Sequence, residues 1–173
     1  MKRYFTFLKS SILTIFVIFV IFGCKSNTLA PQVSTFDDNF DIYKFSGPWY
    51  EIASTKKESL SNVTVNFAIN GREIEIVKSY TSQDKIRNKK EYRARFTADA
   101  NQSLLEIRAR MSFIYKPFNI VRNDNYRYAM IYFADDDISI LSRTETLPEV
   151  VKVIYLQKVE TDGYDTSRLS WKD

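Results

Sequence analysis

The stretch Gly47-Pro48-Trp49-Tyr50-Glu51-Ile52 carries the strongest indication of the fold. A glycine can adopt the backbone angles of a sharp bend, and an indole two residues later offers a large apolar plate. Such a pair could turn the chain under the floor of a β-barrel and plug that floor with Trp49. The alternative is an ordinary buried tryptophan beside a turn. The rest of the sequence has to decide between these two interpretations.

Apolar and polar residues alternate along several downstream segments, as expected for strands with one buried face. In the clearest of them, Thr64 and Asn66 are the polar residues between Val63, Val65 and Phe67. Asn70-Gly71 then has the residues of a tight hairpin turn. Further strands are expected near residues 74–80, 92–98, 105–111, 118–122, 126–133 and 138–143.

About eight strands at this short spacing, without a strand-helix rhythm, predict an all-β fold. Strands that are apolar on one face and joined by hairpins favour an eight-stranded up-and-down antiparallel β-barrel, which has no exposed edges. A last short strand is expected around Leu169 and Trp171.

Residues 149–160 break the alternation and are predicted to form one C-terminal α-helix packed on the barrel wall. The β-branched residues there favour a strand by propensity. However, Thr146 with Glu149 fits a capping box, and Pro148 is tolerated in a first helical turn. The predicted apolar face of this helix consists of Leu147, Val150, Val151 and Ile154.

The amino-terminal residues 1–23 are predicted to be a lipoprotein signal peptide. Lys2, Arg3 and Lys9 form a basic region, and the uncharged residues 10–23 are too few to span a bilayer comfortably. The segment ends in Ile-Phe-Gly-Cys, which resembles a bacterial lipobox, although Phe22 stands where a small residue is usual. The alternatives are an ordinary secretory signal or a short membrane anchor with an incidental cysteine.

Cys24 is the chain's only cysteine and the predicted lipid attachment site. Several acyl chains on it would anchor the protein stably to a membrane. Residues 24–38 would then be a tether and residues 39–173 the folded domain. A single cysteine cannot form an intrachain disulfide, so packing alone is expected to hold the domain together. One barrel end could be closed by Val33, Phe36, Phe40, Ile42 and Phe45.

Composition argues against several classes of function. The three basic residues of the signal peptide leave 22 basic against 21 acidic residues, so a nucleic-acid partner is not expected. The chain has no histidine, which removes the commonest general base and most zinc or haem ligand sets. No catalytic residue, metal site or cofactor is predicted, and the protein is not expected to be an enzyme.

Two later segments also match known motifs, and together with the first they resemble the lipocalin family. Residues 125–129, Asn-Tyr-Arg-Tyr-Ala, resemble the family's second motif, and residues 140–144, Ile-Leu-Ser-Arg-Thr, resemble its third. Residues 163–171 are similar to the end of the bacterial outer-membrane lipoprotein branch. The matches frame residues 39–171 in the family's order, whereas residues 56–120 match by strand pattern only.

The resemblance implies that Gly47, Trp49, Tyr126 and Arg143 are structural motif residues. In lipocalins the third-motif arginine lies across the indole of the first motif at the closed end of the barrel. A cation–π contact between Arg143 and Trp49 is therefore expected, with a structural role.

An eight-stranded barrel can enclose a small ligand or be filled by its own side chains. With 24 tyrosine and phenylalanine residues, a filled interior remains an alternative. The residues expected to face inward and bind a ligand are apolar or phenolic: Val65, Phe67, Ile76, Tyr80, Tyr92, Phe96, Ile107, Met111, Tyr128 and Met130. Such a lining suits an acyl chain, with tyrosine hydroxyls or an arginine meeting a head group at the mouth.

The leading hypothesis is a membrane-anchored carrier or store of fatty acids or lysophospholipids in the bacterial cell envelope, at the outer membrane. The membrane contact would run through the acylated Cys24, and the sequence leaves the oligomeric state open. The alternative is a surface scaffold without a ligand cavity, whose loops at residues 85–90 and 135–137 bind a protein. A lipid-modifying enzyme is a third, weaker hypothesis.

Overall fold

The structure is a computed structural model that describes residues 40–56, 60–97 and 103–172. The predicted signal peptide and tether, with Cys24, Val33 and Phe36, lie outside the described residues.

Eight antiparallel strands form a closed barrel, which confirms the predicted all-β class and architecture. They are β1 (Gly47–Ser54), β2 (Ser61–Asn70), β3 (Glu73–Thr81), β4 (Arg87–Phe96), β5 (Leu104–Ala109), β6 (Lys116–Asp124), β7 (Tyr128–Phe133) and β8 (Ile138–Ser142). Each strand pairs with its sequence neighbour, and β1 pairs with both β2 and β8. The barrel therefore has no free edge between β1 and β8.

The β2–β3 hairpin turns at Gly71, whose φ of +62° lies in the left-handed region that favours glycine. The register pairs Asn70 with Glu73 across this turn, so the turn residues are Gly71 and Arg72. The predicted turn is thus present, one residue further along the chain.

The barrel has a closed and an open end. The short helix α1 (Ile42–Phe45) lies directly before β1, and its apolar residues pack with Trp49 at the floor. Since neighbouring strands run in opposite directions, the connections after β3, β5 and β7 all lie at the opposite, open end. Of the residues expected to close the floor, Phe40, Ile42 and Phe45 are buried.

The predicted C-terminal helix is confirmed as α2 (Glu149–Thr161), followed by a 3₁₀ turn (Thr166–Arg168) and β9 (Ser170–Trp171). β9 pairs with the end of β1, which confirms the expected last strand. Neither α-helix in the described parts of the chain is long and apolar enough to cross a bilayer.

Two details of the helix prediction are wrong. The helix starts after Pro148, and no side chain caps it, so Thr146 forms no capping box. The face against the barrel is formed by Tyr155 and Val159, with Val151 packed beside them, whereas Val150 and Ile154 are exposed. The buried face is thus rotated from the predicted one, because residues four apart share a helix face and Tyr155 provides the largest apolar surface.

Two apolar cores stabilise the fold. The first fills the lower part of the barrel around Trp49, Phe67 and Phe118. The second lies between the outer barrel wall and α2, around Met130, Tyr132 and Tyr155. Strand β7 contributes to both cores, since Ala129 and Ile131 face the interior while Met130 and Tyr132 face the helix.

Candidate ligand cavity and barrel floor

Trp49 forms the centre of the barrel floor. Its side chain is fully buried, and its indole Nε1 donates a hydrogen bond to the carbonyl oxygen of Phe45 at 2.8 Å. The Phe45 ring lies 4.6 Å from the Trp49 ring and 5.0 Å from that of Phe67, measured between centroids. Because the indole donor is satisfied, the large ring can be buried without an unpaired polar group.

Arg143 covers Trp49 from the outside of the floor. The guanidinium carbon lies 3.9 Å from the indole centroid, so the expected cation–π contact is present. The same group donates to the backbone carbonyl oxygens of Lys44, Phe45, Ser46, Pro48 and Tyr126, at 2.8 to 3.2 Å. Partial burial lowers the pKa of this guanidinium from its usual value. Arg143 therefore connects α1, the start of β1 and the turn before β7.

The other two motif residues explain why this floor is compact. Gly47 has a φ of +96°, and a Cβ placed on it would approach Nη1 of Arg143 to 3.3 Å. Any larger residue would be strained by its backbone and would crowd the arginine. Tyr126 lies in the β6–β7 turn, and its hydroxyl accepts a hydrogen bond from the Asp41 amide at 2.8 Å. All four motif residues thus lie at the closed end.

A cavity of about 370 Å³ lies above this floor. Its lower part is apolar and includes Phe67, Phe118 and Ile131, while charged side chains line its upper part. This volume lies within the range typical of small-molecule sites, roughly 300 to 1,000 Å³. The described side chains therefore leave room for a ligand between the floor and the open end of the barrel.

Five of the ten predicted ligand-binding residues line this cavity: Val65, Phe67, Ile76, Tyr92 and Ile107. Phe96 packs against the core of the floor, below the cavity. Tyr80 lies near the open end of β3, where the ammonium of Lys90 is 5.4 Å from its ring centroid.

The prediction is wrong for the other three residues, which do not line the cavity. Tyr128 and Met130 pack on the helix side of β7, not on its interior side. Apolar residues occupy both faces of β7 because both faces are covered, so alternation could not identify the inner one. Met111 lies beyond the end of β5 and is 90% exposed, because the strand stops at Ala109.

A buried carboxylate is the main feature that the sequence prediction missed. Glu51 follows Trp49 on the interior face of β1 and is only 4% exposed. It pairs with Lys78 at 2.8 Å and with Lys172, and it accepts a hydrogen bond from Ser139 at 3.1 Å. Burial alone would raise the pKa of Glu51, but attraction and hydrogen bonding from the two lysines lower it below its usual value. The carboxylate is therefore ionised at neutral pH.

Lysine side chains surround this carboxylate and line the cavity beside it. Lys78 and Lys90 are direct partners in the β3–β4 register and both line the cavity. Lys78 and Lys172 both form ion pairs with Glu51. At the mouth, by contrast, Lys56 and Lys116 each face an aspartate, Asp137 at 3.6 Å and Asp135 at 2.7 Å. Lysines thus line the barrel wall at mid-height, at Lys78 and Lys90, as well as at the mouth.

The missed charged residues could have been found from strand parity. Glu51 is two residues from Trp49, and Lys78 lies between Ile76 and Tyr80 on the same face of β3. Alternation was used only to collect apolar residues, so lysines at inward positions were not considered. Across the described residues, no group of three or more His, Cys, Asp or Glu side chains could hold a metal ion.

A closed barrel with a plugged floor and a cavity open at the other end defines a protein that binds small hydrophobic molecules. The chain belongs to the lipocalin family, because a family model described as a lipocalin-like domain matches residues 40–173.

Similar proteins come from the same family. The chain is 31% identical to the outer membrane lipoprotein Blc of Citrobacter freundii over 160 residues, which cover 88% of this chain and 89% of that protein. The same values hold for the outer membrane lipoprotein Blc of Escherichia coli (strain K12). Among solved structures, apocrustacyanin C2 superposes with a TM-score of 0.63 at 20% identity, covering 76% of this chain and 78% of that one.

Proposed function

We propose that this protein carries or stores amphiphiles with an acyl chain, namely fatty acids or lysophospholipids, in the cell envelope. The acyl chain would occupy the apolar part of the cavity, and the anionic head group would lie beside Lys78 and Lys90. The observation that carries the proposal is this pair of lysines on adjacent strands directly above an apolar cavity. No reaction is assigned to the site.

The position of the lysines favours an anion over a neutral ligand. Lys78 is only 14% exposed in its side chain and shares Glu51 with Lys172. A carboxylate or phosphate that entered the cavity could accept charged hydrogen bonds from these lysines, and low exposure to water would strengthen the attraction. A neutral apolar ligand would gain only from burial in the lower part.

The anchor and location are part of the same proposal. The similar Blc proteins are named outer membrane lipoproteins, and Cys24 ends a lipobox-like segment. We propose that Cys24 is lipid-modified after removal of residues 1–23, that residues 24–38 act as a tether, and that the protein is held at the bacterial outer membrane. Metabolic labelling with a fatty-acid probe should label the wild-type chain and not Cys24→Ala. An unlabelled wild-type chain would contradict the anchor.

Ligand binding can be tested on the full chain in isolated membranes with photoreactive lipids. A fatty acid and a lysophospholipid that carry a diazirine in the acyl chain should cross-link to peptides of β2 to β5. Ala109→Trp fills the cavity from its lining and should abolish the adduct. Val153→Trp is the matched control, because Val153 is 55% exposed on α2, and it should label like the wild type.

The role of the lysines is tested by comparing head groups. Lys90→Met should lower labelling by the photoreactive fatty acid several-fold and leave labelling by the corresponding fatty alcohol unchanged. Equal labelling of Ala109→Trp and wild type would contradict the cavity as the lipid site. Equal loss of acid and alcohol in Lys90→Met would contradict the head-group assignment alone.

A further inference from the structure

The β5–β6 loop, residues 110–115, presents apolar side chains to solvent at the open end of the barrel. Met111 is 90% exposed, Phe113 96% and Ile114 72%, and Ile86 on the β3–β4 loop is 56% exposed. Single exposed apolar residues are ordinary on protein surfaces. Three within four residues, with a fourth on the adjacent loop, indicate a surface that binds something. We call these four residues the mouth patch.

The outward direction of the mouth patch is set by the folded loop. The Nη1 of Arg108 donates to the carbonyl oxygens of Arg110 and Ser112, at 3.2 and 2.7 Å. The Ser112 amide donates back to Ala109 at 2.9 Å. Tyr115 is held between the Arg95 and Arg108 guanidinium groups, 4.0 and 5.3 Å from its ring centroid. The backbone of the loop is therefore well bonded, while Met111 and Phe113 are almost fully exposed and Ile114 lies exposed at the cavity entrance.

Basic residues surround the mouth patch. Residues 82–91 and 108–116 contain seven lysines and arginines against two carboxylates. Lys89 and Arg110 are mostly exposed, although both pair with Glu91. The acidic residues of the mouth, at positions 135–137, belong to the neighbouring β7–β8 loop, where Asp135 pairs with Lys116 at 2.7 Å. The β3–β4 and β5–β6 loops thus form a basic, apolar side of the mouth, which borders the acidic β7–β8 loop.

We propose that the basic, apolar side of the mouth docks on an anionic lipid surface. Phe113 and its neighbours would enter the boundary between head groups and acyl chains, and the lysines and arginines would contact lipid phosphates. Apolar side chains within a basic rim are the combination that binds membrane interfaces. Protein interfaces, in contrast, are depleted in lysine. Docking would place the cavity entrance at the lipid surface, and it does not depend on which ligand the cavity holds.

The proposal can be tested with an environment-sensitive dye on the full chain. In a Cys24→Ser background, Phe113→Cys provides a unique labelling site for a nitrobenzoxadiazole dye. The labelled chain is reconstituted into vesicles of phosphatidylcholine with or without phosphatidylglycerol. We expect a blue-shifted dye, quenched by spin-labelled lipid, in the anionic vesicles. Dyes at Arg72→Cys, at the closed end, and at Val153→Cys, on α2, should remain in water.

Charge is tested by Lys85→Gln combined with Arg87→Gln, two exposed residues outside the cavity lining. The ratio of docked to undocked dye at position 113 should fall about fivefold for each charge removed. A dye at position 113 that iodide quenches equally in both kinds of vesicle would overturn the proposal and favour a protein partner for the mouth patch. Equal quenching by lipid at positions 72, 113 and 153 would also overturn it, since no defined side would then face the membrane.

Discussion

Arg143 follows β8 and lies across the barrel floor, where it combines two kinds of interaction. Its flat face lies against the indole of Trp49, and its edges donate to five backbone carbonyl oxygens. Those carbonyls belong to the end of α1, to the start of β1 and to the β6–β7 turn. A guanidinium suits this position because it carries five donors in one plane.

Replacing Arg143 with Ala should lower the free energy of unfolding by about 2 to 4 kcal/mol, from the lost cation–π contact and charged hydrogen bonds. Arg143→Lys should recover only part of this, because an ammonium cannot reach all of the carbonyls. Urea unfolding measures the free energy of unfolding of both variants. Arg127→Ala is the control, since Arg127 is a neighbouring exposed arginine, and it should stay within about 0.5 kcal/mol of the wild type. An unchanged Arg143→Ala would contradict the bracing role.

At the scale of elements, α2 closes the outer face of β7 and β8. Tyr155 is fully buried between the helix and the wall, where it packs with Met130, Tyr132 and Val159. Its hydroxyl makes no hydrogen bond of acceptable geometry with the described residues, although Asp124 and Arg122 lie close enough to influence it electrostatically. Burial raises the pKa of Tyr155 well above its usual range, so the phenol is neutral. The ring of Tyr155, and not its hydroxyl, therefore stabilises the docked helix.

Tyr155→Phe is expected to leave stability unchanged or to raise it by up to about 1 kcal/mol, because it removes only an unpaired polar atom. Tyr155→Ala should cost about 3 to 5 kcal/mol through the cavity it leaves. Thermal unfolding followed by circular dichroism compares the stability of the two variants with that of the wild type. On the exposed side of the same helix, Val153→Ala should have almost no effect. A strongly destabilised Tyr155→Phe would mean that the hydroxyl has a partner.

At the scale of the whole molecule, Glu51 joins parts of the chain that are far apart in sequence. Its carboxylate on β1 bonds to Lys78 on β3, Ser139 on β8 and Lys172 after β9. It therefore connects the barrel wall to the end of the chain from inside the barrel. Removing one member of a buried ion pair typically costs about 3 to 5 kcal/mol, because the remaining charge loses its partner.

This cluster predicts how stability depends on pH. The pKa of Glu51 is lower in the folded protein than its ordinary value of 4.5, so its ion pairs stabilise the fold fully above that value. The contribution is lost as the pH falls through the lower, folded pKa. Glu51→Gln should therefore be less stable than wild type at pH 7, and the difference should shrink below about pH 4.5.

Urea unfolding across this pH range tests the expectation. Glu145→Gln is the matched control, because Glu145 is exposed and its replacement should follow the wild-type pH dependence. A constant difference between Glu51→Gln and wild type from pH 7 down to acid would show that the carboxylate is not held ionised by its lysines.

Local sequence determined the elements and the floor of this protein. Alternation along segments such as Val63 to Phe67 indicated the strands, since the residues of a strand point to its two faces in turn. Closure of the barrel followed because hairpin-linked strands with one apolar face bury that face best without free edges. The motif residues Gly47, Trp49 and Arg143 also lie together as expected, because each has a role that only its residue type can fill: a sharp bend, a large apolar ring and a flat cation.

The cavity and its surroundings depended on tertiary structure. Met130 and Ile131 are both apolar, and only the docking of α2 decides that Met130 faces the helix while Ile131 faces the cavity. Glu51 and Lys78 are charged, and only their meeting inside the barrel makes their burial tolerable. A sequence records which residues alternate along a strand, but what covers each face is set by elements distant in the chain.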